Sequence, residues 1–190
     1  MKIYLIGSLR NPEVPKITKR LMDEGFNVFS EWYGAGERAD DHFKEYHSGL
    51  GRTYLEALET DAAKTIFNFD KKHIDESSTV VLVSPAGKSG HLELGYALGS
   101  GRRGYYLLDD PDRWDLMLQF CTGMFTNLED LIERLKEDER NEVGPIPFGL
   151  STVCSNCKQR SINQDWSRNR SGKQQCSECG IQWFPNWDGR

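Results

Sequence analysis

Residues 79–109, TVVLVSPAGKSGHLELGYALGSGRRGYYLLD, place two apolar runs, TVVLVS (79–84) and GYYLLD (104–109), on either side of a glycine-dotted segment. Four to eight consecutive apolar residues suit a strand buried on both faces, and the stretch from His91 to Ser100 has the length and small-residue content of a crossover helix. Two such strands joined by a helix make a parallel unit, so this stretch predicts an α/β architecture.

The same alternation extends outward. KIYLIG opens the chain as a strand, a helix starts near Pro12 to Pro15 with Val14, Ile17 and Leu21 at helical spacing, and Gly25 stops it. FNVFS (26–30) reads as a second strand. Thr53 to about Ser78 is helical in character, with a break expected near Phe67 to Asp70. A helix near Arg113 to Gln119 and a last one over NLEDLIERLKED (127–138) follow. The pattern predicts a doubly wound, Rossmann-like parallel sheet flanked by helices. Residues 31–52 are polar, glycine-dotted and aromatic, which suits a functional excursion better than a core element.

Charge divides the chain. Residues 1–150 hold 18 Lys/Arg against 26 Asp/Glu, a net of −8, whereas residues 151–190 hold 6 against 3, a net of +3. An acidic body argues against broad nucleic-acid binding by that part. No apolar stretch reaches the length of a membrane span, and MKIYLIGSLR lacks the long apolar region of a signal peptide, so a cytoplasmic protein is expected. The expected organisation is a catalytic domain over 1–140, a Pro/Gly linker over 141–150 and a small module over 151–190.

That module carries Cys154-x2-Cys157 and Cys176-x2-Cys179, separated by 18 residues. Each CxxC turn presents two sulfurs to one ion, and two turns complete a tetrahedron, so the spacing predicts a structural zinc ribbon. About 40 residues bury too small a core to fold unaided, and Zn2+ would supply much of the stability. Disulfides are the alternative, disfavoured without an export signal. Trp166, Trp183, Phe184 and Trp187 interleave with Arg160, Arg168, Arg170 and Lys173, a composition open to nucleic-acid contact or to packing on a protein.

Ligands of a doubly wound sheet bind beyond the carboxyl ends of its strands. After the first strand stands GSLR, offering Gly7, Ser8 and Arg10 at a helix start. After the strongest strand stands PAGKSGHLE, with Ser89 and Gly90 at a second helix start and Glu93 in what reads as the first helical turn, where the dipole favours its ionised form. Backbone N–H groups and an arginine at such turns suit a phosphate. Asp70 lies in the helix before the strong strand. His42, His47, His73 and His91 show no ligand spacing, and Cys121 reads as a buried small residue rather than a nucleophile.

MKIYLIGSLR, Asp70 with Ile74 following, and SGHLELGYALGSGRRGYYLL together resemble the nucleoside 2-deoxyribosyltransferase superfamily, over about residues 1–138. The resemblance implies that Glu93, before LGYA, is the nucleophile, and that Asp70 and Tyr4 complete the catalytic set. It also implies a homo-oligomer in which Met124 reaches a neighbouring site. Free-nucleoside transferases of that family carry an aspartate before the nucleophile. Here the stretch is GKSGH, closer to the deoxynucleoside 5′-monophosphate N-glycosidases, whose matching serines and arginine hold the phosphate. That branch implies Ser8, Arg10 and Ser89 on a 5′-phosphate.

The chemistry fits these residue types. A 2-deoxyribosyl N-glycosidic bond breaks through an oxocarbenium-like transition state, which a carboxylate beneath C1′ can stabilise and capture while a second carboxyl assists the leaving base. The expected activity is cleavage or transfer at this bond of a 2′-deoxynucleoside 5′-monophosphate through a glutamate-linked deoxyribosyl intermediate. Trp32, Asp40 and Asp41 are candidates for the base pocket. Two alternatives stay open: a nucleotide-binding or sensing protein without catalysis, and an NAD-type glycohydrolase.

Overall fold

The computed structural model describes residues 1–108 and 115–140, with the short pieces 174–175 and 182–183. The chain divides into two compact units, Met1–Phe148 and Gly149–Arg190. In the second, Gln174–Gln175 and Gln182–Trp183 pair antiparallel. The four cysteines expected to hold zinc, and the expected linker, lie outside the described residues.

In the first unit, strand β1 (Lys2–Ile6) leads into helix α1 (Glu13–Asp23) and strand β2 (Asn27–Phe29). A single 3-10 turn, Glu31–Ala35, precedes α2 (Ala39–Gly49), α3 (Tyr54–Leu58) and α4 (Asp61–Asp75). Then come β3 (Thr79–Val83), α5 (Lys88–Gly99) and β4 (Arg103–Leu107). A 3-10 turn at Leu116–Phe120, β5 (Gly123–Phe125) and α6 (Leu128–Arg140) complete it.

All five strands are parallel in the order β2-β1-β3-β4-β5, the doubly wound arrangement expected from the sequence. Strand alternation sends side chains to two faces, and each face has its own core. Ile3, Leu5, Val81 and Tyr105 pack beneath α1 and α6, with Val14, Ile17, Leu21, Leu131 and Leu135. Tyr4, Ile6, Val80, Leu82 and Tyr106 pack beneath α4 and α5, with Ile74, Leu94, Ala97 and Leu98. Each fully buried aliphatic side chain stabilises the fold by about 1.5–3 kcal/mol.

The chain order reverses between β1 and β3. The loop after β1 leads to a helix on one face and the loop after β3 to a helix on the other, which opens a crevice between them.

Several elements depart from the sequence reading. The 31–52 excursion is helical, although only His47 of α2 is buried. Helix α4 runs unbroken through Phe67–Asp70, and the break falls earlier, at Glu59 and Thr60. There the Thr60 side chain accepts from the Ala63 N–H and caps the new helix. Of the segment expected to be helical near Arg113–Gln119, the described part forms a 3-10 turn at Leu116–Phe120 rather than an α-helix. Strand β5 was not expected, since three residues give no periodicity to read.

Candidate active site

Helix α5 begins at Lys88, not near His91, with Gly87 as its N-cap. Ser89 and Gly90 therefore lie in the first turn, and Glu93 lies in the second. The first turn lies close against β1: a Cβ on Gly90 would sit 3.0 Å from Ile6 Cγ2, tight enough that the isoleucine side chain would have to give by a few tenths of an ångström.

Glu93 is half-buried on the side of α5 that faces α4. Its carboxyl is pushed up to about 7, first by burial and then by the neighbouring Asp70 charge, while a hydrogen bond from Tyr4 pulls the other way. The sequence expectation that Glu93 lies in the first turn, where the dipole favours its ionised form, is thus corrected. At the second turn the dipole has weakened, and desolvation dominates. Asp70, half-buried on α4, is also raised, chiefly by burial, with His73 opposing.

Tyr4 joins the two. It is 1% exposed on β1, and burial together with the Glu93 and Asp70 charges raises its phenol, so it stays protonated and donates to Glu93. Its ring stacks on Phe29, its neighbour in the parallel register, at 5.4 Å; Phe29 in turn stacks on His73 at 3.7 Å. This run of rings ties β1, β2 and the C-terminal half of α4 together, one turn from Asp70. Phe29 and His73 were not singled out from sequence, because stacking across elements leaves no local pattern.

The loop after β1 holds Gly7, Ser8 and Arg10. The Arg10 backbone N–H donates to Ser8 Oγ at 3.2 Å, and its exposed guanidinium pairs with Asp41 at 2.9 Å. This contact ties α2 to the loop after β1. Trp32 donates from its indole to the Leu5 carbonyl at 2.8 Å and packs against both halves of the core. Asp40, one residue before Asp41, is exposed.

Met124 lies elsewhere. It sits on β5 at one edge of the sheet, two strands from β3 and three from β1, and is 47% exposed. Tyr4, Asp70 and Glu93 are brought together, and the Gly7–Arg10 and Ser89–Gly90 turns follow the adjacent strands β1 and β3. Met124 is not part of that cluster.

One further residue organises the crevice. Asn11, 3% exposed, donates from Nδ2 to the carbonyls of Ser84 at 3.1 Å and Pro85 at 3.4 Å. Its Oδ1 accepts from the Glu13 N–H at 3.0 Å, at the start of α1. In the sequence Asn11 looks like an ordinary helix-start residue before Pro12; its cross-loop bonds required the fold.

Among the described residues no group of His, Cys, Asp or Glu is arranged to hold a metal ion, and no helix is long and apolar enough to cross a membrane. A shallow depression lined by Pro15, Thr18, Met22 and Tyr33 lies along α1, and none of the predicted catalytic residues lines it.

No protein-family model and no curated protein matches the chain. Solved structures are similar to it, two of them as follows. One is a 2-deoxyribosyltransferase from the psychrotolerant bacterium Bacillus psychrosaccharolyticus, at 20% identity over 79% of this chain and 100% of that one, with a TM-score of 0.48. The other is the CMP N-glycosidase BcmB of Clostridium botulinum, at 12% identity over 72% of this chain and 99% of that one, with a TM-score of 0.42.

Proposed function

We propose that the protein cleaves or transfers at the N-glycosidic bond of a 2′-deoxynucleoside 5′-monophosphate, with Glu93 as nucleophile. The observation that carries this reading is the pairing of two raised carboxyls, Glu93 and Asp70, beside a buried phenol that donates to one of them. Two neighbouring carboxyls seldom ionise together near neutrality, so the pair shares one proton; it rests chiefly on Glu93, and the reactive form is the one in which that proton has passed to Asp70 and Glu93 is ionised.

In the first step the ionised Glu93 oxygen bonds to C1′ as the C1′–N bond breaks, and the leaving base takes a proton from Asp70. Tyr4 fixes the attacking oxygen by its hydrogen bond. In the second step water, or the nitrogen of another base, bonds to C1′ and displaces Glu93, and Asp70 recovers the proton. The absence of a 2′-hydroxyl makes the cationic transition state easier to reach, which favours deoxyribosyl substrates.

The phosphate would lie in the crevice at the β1–β3 reversal, on Ser8, Arg10 and the first turn of α5 with Ser89 and Gly90. Ser89 lies four residues, one helical turn, before Glu93 on the same side of α5, so phosphate and C1′ would both be met along one helix edge. Arg10 would exchange Asp41 for the phosphate, and the 31–52 excursion would cover the base.

The reading is tested by incubating the protein with deoxynucleoside monophosphates, deoxynucleosides and NAD, and chromatographing for free base. Release from deoxynucleoside monophosphates, lost in Glu93→Ala, is expected; tight binding without release from any of them overturns it. The Cys154, Cys157, Cys176 and Cys179 spacing supports a zinc ribbon as an accessory module. Metal analysis of the whole protein should return one zinc per chain, and a chain free of zinc overturns that assignment.

A further inference from the structure

We infer that Asn11 is the positioning residue that sets the spacing of the two halves of the phosphate cradle and thereby the preference for phosphorylated over unphosphorylated substrate. This rests on the placement of the phosphate between the β1 and β3 loops. The two loops lead to helices on opposite faces of the sheet, so no element of secondary structure bridges them at the crevice. Asn11 does so with one buried amide.

Each polar group of that side chain is committed. Nδ2 donates to Ser84 and Pro85 on the far loop, and Oδ1 accepts from the Glu13 N–H on its own side. The Asn11 backbone N–H donates to the Ser8 carbonyl at 2.9 Å and its carbonyl accepts from the Val14 N–H, so the Ser8–Arg10 turn and the amide move as one body. Ser84 and Pro85 lead directly into Gly87 and the first turn of α5. The amide therefore fixes Ser8 and Arg10 relative to Ser89 and Gly90. An anion held from two sides gains from having that distance set before it arrives.

Aspartate is nearly isosteric with Asn11 but replaces the Nδ2 donor with a carboxylate oxygen, which faces the Ser84 and Pro85 carbonyls and adds negative charge beside the phosphate. Alanine removes the bridge without adding charge. Neither change touches Tyr4, Asp70 or Glu93.

The test titrates the full-length protein, Asn11→Ala and Asn11→Asp with 2-deoxyribose 5-phosphate. In parallel it compares KM and kcat for base release from a deoxynucleoside 5′-monophosphate and from its nucleoside. Affinity for the sugar phosphate should fall roughly tenfold in Asn11→Ala and further in Asn11→Asp. KM for the monophosphate should rise with little change in kcat, and KM for the nucleoside should hold. Equal losses on both substrates, or unchanged affinity, overturn the inference while leaving the nucleotide reading in place. Wild-type protein that ignores the sugar phosphate overturns the phosphate placement and this inference with it. Should Asn11→Ala fail to fold, Asn11→Ser keeps a small polar side chain too short to bridge the loops, and the same comparison applies.

Discussion

The Tyr4 phenol donates to the Glu93 carboxyl in the groove between α4 and α5, and Asp70 adds a negative charge that acts on both. Three elements of the sheet-and-helix layer supply one residue each, so the geometry depends on how α4 and α5 seat against β1. If Glu93 is the nucleophile, Glu93→Gln keeps the shape and the Tyr4 contact but removes the attacking oxygen anion. Base release should fall by about 10³-fold or more, with substrate binding largely retained. Activity within tenfold of wild type removes Glu93 from the mechanism.

Glu93 also makes stability depend on pH. Its folded value of about 7 stands above the ordinary glutamate value of 4.5, so the folded state holds this proton more tightly than the unfolded chain does. The contribution favours folding below the unfolded value. It is lost as pH rises through 4.5 to 7, after which the buried charge is a standing cost. Glu93→Gln should therefore stabilise the protein at pH 8, by on the order of 2 kcal/mol, and change little at pH 4. Denaturant melts of both proteins at the two pH values give the comparison; an equal effect at both is the contrary outcome.

Much of this was legible in the chain because it is local. β3 is a continuous apolar run, Val14, Ile17 and Leu21 mark the inner stripe of α1, and the strand–turn–helix order alone implies the sheet. Glu93 and Asp70 stood out by their places around the strong strand, while their roles and that of Tyr4 came from the motif resemblance; how the three act on one another was not legible in either. The α5 start was misplaced because Gly90 reads as a turn residue, whereas its lack of a side chain serves a helix–sheet contact. Asn11, Phe29 and His73 act through partners on other elements, and β5 owes its strand state to pairing with Tyr105, Tyr106 and Leu107. Those signals exist only once the chain has folded.

Asp70 and Tyr4 should shift the pH profile in opposite directions. Removing the Asp70 charge in Asp70→Asn relieves the repulsion that helps raise Glu93, so the ascending limb of kcat/KM should move to lower pH. Removing the donor in Tyr4→Phe withdraws the bond that lowers Glu93, so the limb should move to higher pH. Asp70→Asn should also lose about 10²- to 10⁴-fold in rate as the leaving base loses its proton source. The two limbs report the coupled pair rather than one residue. Shifts in the same direction would show that these side chains do not act through Glu93.

Gly104 offers a purely structural check on the seat of α5. It lies on β4 beneath the helix, where a Cβ would come within 2.7 Å of Leu98 Cδ2 and 2.9 Å of Leu94 Cδ1. Both leucines are buried in the layer that also holds Tyr4. In Gly104→Ala their side-chain ends must shift, which overpacking makes costly by about 1–3 kcal/mol. Gly104→Val should cost more, because its γ carbons extend further into the same space. If α5 tilts to make room, Glu93 moves away from Tyr4, and base release should fall by more than the lost folded population explains. Melting temperatures and rates measured together separate the two effects: a loss of stability with full activity per folded molecule would show that the leucines alone absorb the added carbon.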